Sequence, residues 1–406
     1  MNLLSVLLIV TTLVTDAPST EVYLSGHYGE STYAIEGNQN AGFSVQAQSV
    51  YDIDSISRVF GEASYSWNQS RGNRFVENAD YELLSPYLTV DTVGGGMRTE
   101  TYFFRGGYRM VKNQVLWYAA LQFRALQSYR DVDPRPKNKV ADLQVEAGVG
   151  YSNERYAWVG ITHVGRYKQN NEIRFYSELG ENQIYHLIAP GTAYTRFSGS
   201  QKVSYYHGFS IGQSVAMMPH QTGWLAQVDY QYFRVNKELY DVTYIPISRL
   251  QVHAADATFG YVGNSWCAML EGGIYFRRGQ QYIYGEAANN TYEYLTRQAN
   301  YAENIWHIGA AGEYNLSLPV GELSFAAAID YDSSETTSLP PEKRWAVLYN
   351  LLTENALNAE LGISYTFPIK GRFSWFIAPK ASYTQYVEEP SKPFTWNIIL
   401  ETGITF

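Results

Sequence analysis

Phe394-Thr-Trp396-Asn-Ile398-Ile-Leu400-Glu-Thr402-Gly-Ile404-Thr-Phe406 is the stretch on which the reading of this chain turns. One face of the extended segment carries Phe394, Trp396, Ile398, Leu400, Thr402, Ile404 and Phe406. The other carries Thr395, Asn397, Ile399, Glu401, Gly403 and Thr405. A period of two is that of a β-strand, whose successive side chains point to opposite sides. Here one side is apolar and aromatic and the other is mixed and polar, which suits a strand with lipid on one face and water on the other.

The alternation recurs upstream. Leu357, Ala359, Leu361, Ile363, Tyr365 and Phe367 interleave with Asn358, Glu360, Gly362, Ser364 and Thr366, and Leu143, Val145, Ala147, Val149 and Tyr151 with Asp142, Gln144, Glu146, Gly148 and Gly150. Trp224, Ala226, Val228, Tyr230 and Tyr232 repeat it against Leu225, Gln227, Asp229 and Gln231, and Val115, Trp117, Ala119 and Leu121 face away from Gln122 and Arg124. Sandwich strands average about five or six residues. These runs reach the roughly ten that a tilted membrane strand needs. The expected fold is therefore all-β: a transmembrane antiparallel β-barrel of about sixteen strands (14–18 allowed by one hairpin more or fewer).

Turn lengths and composition point the same way. Tight turns at 54–56, 112, 153–154, 263–264, 318–320 and 369–370 alternate with long connections at 31–40, 68–98, 128–138, 168–198, 235–249, 279–302, 332–355 and 386–393. Short periplasmic turns, long extracellular loops and two periplasmic termini are the pattern expected. Tyr supplies 36 positions, the aromatics 16% and charged residues only 17% of the chain, against a usual charged share of about 25%. Mean hydropathy is −0.28, and the longest apolar run, Leu3–Val14, falls short of the roughly 18–20 residues of a spanning helix.

The terminal stretch closely resembles the assembly signal of bacterial outer-membrane barrels, a final aromatic preceded by alternating apolar residues. That resemblance makes Trp396, Ile398, Leu400, Ile404 and Phe406 the residues recognised by the barrel-assembly machinery. Taken whole, the tyrosine-rich strands and the terminal signal resemble an uncharacterised family of Bacteroidota-type outer-membrane β-barrels, a domain of unknown function. The resemblance implies an outer-membrane location and a barrel, sometimes partnered with an uptake receptor, and implies no specific activity. Leu3–Val14 followed by Thr15-Asp16-Ala17 reads as a signal peptide over 1–17, leaving 18–406 as a single barrel domain.

Other classes fall away. The formal charge of −9 without a Lys/Arg block gives no footprint for nucleic acid. One cysteine, Cys267, permits neither an internal disulfide nor a cysteine-based metal site. The seven histidines show no G-x-S-x-G or i,i+4 context. His186 is expected as a solvated loop residue, with Glu178 or Glu181 as the acid that could meet it in a rim-active hydrolase, the least favoured function. Met217-Met218-Pro219-His220 has the donors of a copper(I) or haem site, but reads better as a strand end stopped by proline. Gly94-Gly95-Gly96 lacks the lysine and serine of a phosphate loop and reads as a flexible loop. No enzyme activity, metal or cofactor is expected.

The inward face carries the functional expectation. Its candidates are Asp142, Gln144, Glu146, Gln227, Asp229, Gln231, Glu271, Glu360, Asn397 and Glu401, with Arg105, Arg109 and Arg124. Acid rings favour cations and arginine clusters favour anions, so the preferred function is a pore or uptake-associated barrel for small polar solutes. The alternative is a non-conducting barrel whose loops hold a partner protein or surface lipoprotein, with Tyr282, Tyr284, Tyr292 and Tyr294 as contacts. Trp345, Leu348, Leu352 and Ala356 stand at helical spacing and predict a short helix at the barrel mouth. Outer-membrane lipids are the surroundings on either reading.

Overall fold

The computed structural model describes residues 19–176, 184–194, 203–240, 243–285, 292–353, 355–370, 373–387 and 393–406. The stretch read as a signal peptide, Glu178 and Glu181 lie outside the described residues. In chain order the strands are β1 (Ser19–Ser31), β2 (Gln39–Asp52), β3 (Ser57–Asn73), β4 (Thr89–Val90), β5 (Gly95–Lys112), β6 (Val115–Tyr129), β7 (Arg135–Ser152), β8 (Tyr156–Arg174), β9 (Tyr185–Ala189) and β10 (Thr192–Ala193). They continue as β11 (Val203–Pro219), β12 (Gly223–Tyr240), β13 (Tyr244–Val262), β14 (Trp266–Tyr284), β15 (Tyr294–Ser317), β16 (Glu322–Ser338), β17 (Ala356–Lys370), β18 (Phe373–Tyr386) and β19 (Phe394–Thr405). Two short helices, α1 (Tyr81–Leu84) and α2 (Ala346–Leu351), lie in connections.

All strands but β4, β9 and β10 close an antiparallel barrel of sixteen, in which β1 pairs with β19 from Glu21↔Thr405 to Ser31↔Thr395. Closure leaves no edge within the membrane, so every backbone group there finds a partner. The alternation read from the sequence becomes the wall: Ile398 and Leu400 are about half exposed on the outside, while Asn397 and Glu401 point inward. At the end bearing the short turns, outward aromatics pack into a girdle, including Trp224 stacked on Phe259 at 5.0 Å and Phe367 edge-to-face with Trp375 at 4.7 Å between ring centroids. An apolar outer band with an aromatic rim is the architecture of an outer-membrane β-barrel.

Each of the sixteen expected segments is a strand, but several run further toward the loop end. The connection expected over 235–249 is almost all strand, leaving only 241–243 between β12 and β13, and β15 starts at Tyr294, well before 303. Beyond the lipid the outer face no longer needs apolar residues, so the periodic signal stops before the hydrogen-bonded ladder does. The glycine run is another correction. Gly95 and Gly96 open β5, and Gly94 (φ +74°) and Gly95 (φ +149°) hold backbone conformations that other residues rarely adopt. A Cβ on Gly95 would stand 2.5 Å from the Arg130 side chain.

The largest buried apolar cluster is not between sheets but inside the barrel mouth. Val76, Leu84, Tyr87, Leu88 and Val90 of the 74–94 connection fold inward against Leu187, Trp345, Leu348 and Leu351. β4 pairs with β9, and β9 with β10, to form a three-stranded sheet within the lumen. Leu84, Leu88, Leu187, Trp345 and Leu348 are fully buried. At about 1.5–3 kcal/mol per fully buried large side chain, this burial explains why the connections plug the mouth instead of standing in solvent. The helix expected from Trp345, Leu348, Leu352 and Ala356 is shorter: one tight turn at Lys343–Trp345 leads into α2, which ends at Leu351, while Ala356 opens β17; Trp345 and Leu348 are buried against the plug.

Candidate functional site

The plug is held by side chains from one arc of the wall. Arg130, at the end of β6, donates to Glu77 (2.6 Å) and to Asp91, all three being fully buried or nearly so. Asn138 of β7 and Asn171 of β8 both donate to the Glu77 carbonyl, at 2.7 and 2.9 Å. Lys237 of β12 reaches the Leu88 carbonyl at 2.8 Å, and the Tyr206 hydroxyl of β11 donates to the Tyr87 carbonyl. Nearer the barrel centre, Arg124 grips Asp80 with two bonds (3.1 and 2.7 Å), and Arg277 of β14 donates to the carbonyls of Glu82 and Ser85. One guanidinium shared by two buried carboxylates is short of positive charge. Burial first, and then Asp91, push the Glu77 carboxyl well above the usual carboxylate range.

Beneath α1 lies a chamber of about 960 Å³. Asp256 (β13), Glu271 (β14), Asp330 and Asp332 (β16) and Glu360 (β17) line one side, and Asp142 (β7) lines the other; Arg277 is the only arginine or lysine among the described lining residues. His307 of β15 sits among these acids, its Nε2 at 3.1 Å from Glu271 and 3.5 Å from Asp256. The Tyr275 hydroxyl donates to Asp256 at 2.7 Å, and the Asn358 amide bridges Asp330 and Asp332 at 2.6 and 3.2 Å. A Cβ on Gly273 would come within 2.4 Å of both His307 and Asp256, so glycine there makes room for the imidazole against the wall.

A second space of about 390 Å³ separates the plug from the wall of β1–β3 and β19, reaching Thr99 of β5, Ser128 of β6 and Thr384 of β18. Amides and hydroxyls line it, among them Asn40, Asn68, Thr99, Thr395 and Asn397, and it shares Tyr81, Glu82 and Thr384 with the chamber. The wall contacts of the 76–91 segment thus come from the β6–β15 arc, and the polar crevice runs along β19 and β1–β5 as far as β6.

Each lumen candidate from the sequence occupies an inward position of its strand, but they divide by what they touch. Asp142, Gln144, Gln231, Glu271 and Glu360 line the chamber, and Asn397 lines the crevice. Others pair along the wall: Arg105 with Glu146 (3.0 Å) and the Tyr118 hydroxyl, Gln227 with Asp229 (2.7 Å), and Glu401 with Lys380 (3.5 Å). Arg124 serves the plug, and Arg109 stands directly across from Arg58 of β3. Sequence reading did not single out Asp256, Arg277, Glu303, His307, Asp330 or Asp332. Ile329-Asp330-Tyr331-Asp332 alternates like the strands that were read, and was the available signal.

Of the loop tyrosines, Tyr282, Tyr284 and Tyr294 belong to an extension of β14 and β15 that continues past Ser338, the last residue of β16 paired with β15, and Tyr292 lies just before β15. Tyr284 and Tyr292 pack on buried Leu239, Ile245 and Ile247, Tyr282 lies under Arg297, and Tyr294 is about half exposed. His186 is fully buried in β9 beside Thr89, not solvated, because the sheet inside the mouth covers it. Met218 packs inward with Leu116, Val159 and Ile161, while Met217, one residue before it, faces the opposite side. His220 meets the Ser152 hydroxyl at 3.1 Å. Among the described residues no group of three His, Cys, Asp or Glu could hold a metal ion.

The chain is similar in shape to a Pseudomonas aeruginosa FadL homologue, with 10% identity, a TM-score of 0.45 and coverage of 96% of this chain and 89% of that one. It is also similar to CdiB from Acinetobacter baumannii, with 8% identity, a TM-score of 0.43 and coverage of 95% and 60%. At that distance the likeness is one of architecture and says nothing about a solute. Comparison with curated proteins finds no match in sequence. A family model does match, over residues 10–387. The chain belongs to that family, DUF6850, a family of unknown function.

Proposed function

We propose that this protein is an outer-membrane barrel that admits small polar solutes, cations in preference to anions, past a folded plug and through a carboxylate-walled chamber. The observation that carries this reading is the chamber itself, where Asp256, Glu271, Asp330, Asp332 and Glu360 face a common space and Arg277 is the only arginine or lysine among the described lining residues. Rings of acids concentrate cations and repel anions. The crevice along β1–β3 and β19 supplies a polar route beside the plug, on the arc that makes none of the wall contacts holding the 76–91 segment described above. The test is planar-bilayer conductance of the folded protein under a salt gradient. Steps whose reversal potential reports cation preference, weakened by Asp330→Asn with Asp332→Asn, are the expected result. Silence from protein shown to be folded would sink this reading.

A second reading has its own support. The outer half of the lumen is a packed apolar core, and the β14–β15 ribbon stands beyond its neighbour with Tyr294 and Leu295 exposed. A barrel built so could hold a partner protein or lipoprotein on its loops without conducting. Co-purification of a partner that is lost when Tyr294 and Leu295 are changed to serine, in a barrel without conductance, would favour it.

A further inference from the structure

The outer wall is not uniform around the barrel. On β7 and β8, Tyr151, Val149 and Val145 and then Trp158 and Val164 form the apolar band, and toward the loop end cations replace it. Lys137 and Lys139 of β7, Arg166 and Lys168 of β8, Arg234 of β12 and Arg278 of β14 are all exposed on the outward face. Register sets them in line: Arg166 stands across from Phe209, Phe209 from Arg234, Arg234 from Gln251 and Gln251 from Arg278. Strands about 4.8 Å apart place successive arginines of this row about 10 Å from one another. Lys168 and His207 stand across from each other one step further out.

These cations lack acidic partners. The outward acids on this arc are engaged, Glu172 with Arg174 and Glu238 with His207. Among the described residues no carboxylate lies within ion-pair distance of Lys137, Lys139, Arg166, Lys168 or Arg234. The other arc is different. Glu30, Glu100 and Glu335 face outward there beside the exposed Arg71, and Arg98 is neutralised by Asp131 at 2.8 Å. In a chain of net charge −9, a one-sided row of unpaired cations at the upper limit of a lipid-facing band is a concentration of charge without a use inside the protein. Cations facing hydrocarbon are unfavourable. At the headgroup level they meet phosphate, which arginine binds in a bidentate manner.

We propose that this arc, from β7 to β14, is a binding site for the phosphorylated headgroups of outer-leaflet lipid. The proposal rests on the membrane placement in the reading above, and not on conduction. The charge complements phosphate, the position is that of headgroups, and the row is open on the lipid side only.

The experiment uses the full-length folded protein in neutral detergent and measures binding of bis-phosphorylated lipid A, its dephosphorylated form and inorganic phosphate. The phosphorylated lipid is expected to bind, more weakly as salt rises. Lys139→Gln, Arg166→Gln, Lys168→Gln and Arg234→Gln together should weaken it by about tenfold or more, as expected when screened surface cations are removed. Arg98→Gln on the other arc should leave it unchanged. Equal binding of the dephosphorylated lipid, or of the four-site variant, would overturn the proposal, as would inorganic phosphate matching the lipid. The four side chains lie outside the wall, so conductance should be the same in the variant. A wild-type barrel that binds the lipid but conducts nothing would remove the passage reading and leave this one standing.

Discussion

The two halves of the lumen are built by opposite rules. Toward the loop end, the space is filled by an apolar core of plug residues, and the charged groups there are spent on one another, Arg130 on Glu77 and Asp91. Beneath α1 the space is left open and six carboxylates of β13–β17 face it, with Arg277 the only arginine or lysine among the described lining residues. The same residue types thus close one half and equip the other. The difference teaches that the strands alone do not decide whether such a barrel is open; the connections do, through side chains that rise from the wall to grip their backbone.

The most disruptive way to break this contrast is Arg130→Ala. Removing one partner of a buried pair leaves uncompensated charge and costs about 3–5 kcal/mol, so hydrogen-exchange protection over 76–91 should collapse while that of the barrel strands persists. Loss of both together would mean that plug and wall are one cooperative unit. Leu88→Ala acts on the apolar side of the same core, fully buried in its centre. A loss of about 2–5 kcal/mol is expected, read as a lower thermal midpoint for plug exposure to protease.

Acidity sharpens the comparison further. Burial and Asp91 raise the Glu77 carboxyl above its unfolded value, so the neutral form is the one the plug favours. Its stabilisation is complete below the ordinary glutamate value of about 4.3 and is lost as pH rises through the raised one. Protection factors over 76–91 should therefore fall with rising pH, and Glu77→Gln should flatten the trend. A profile that stays steep in Glu77→Gln would assign the titration elsewhere. The smallest effect on stability is expected from Asp330→Asn with Asp332→Asn in the open half. Folding should move by less than about 0.5 kcal/mol, while cation preference in conductance falls. A large stability change there would show that these acids brace the wall.

Much of the barrel was legible in the sequence. Alternation at Leu357–Phe367 or Phe394–Phe406 assigns faces locally, because a strand has one side for lipid and one for the lumen. That is why Glu271 and Glu360 could be named as inward. Legibility ended where lipid ended: β12 and β15 run on past the last apolar alternation, and 235–249 looked like a loop. The chamber was half visible, through Asp142, Gln144, Gln231, Glu271 and Glu360, and the His307 cluster was not. A histidine between two acids depends on strands β13, β14 and β15 meeting in one register with Gly273 beside it.

A closed antiparallel wall and the identity of its inward side chains follow from the residues in order, through a period of two and the need to pair every backbone group in lipid. Tertiary structure alone decided what the lumen contains. Glu77 and Arg130 are 53 positions apart, and Lys237 and Leu88 are 149 apart. No local pattern announces such pairs, because burial and charge pairing across the lumen select them only after the wall has closed.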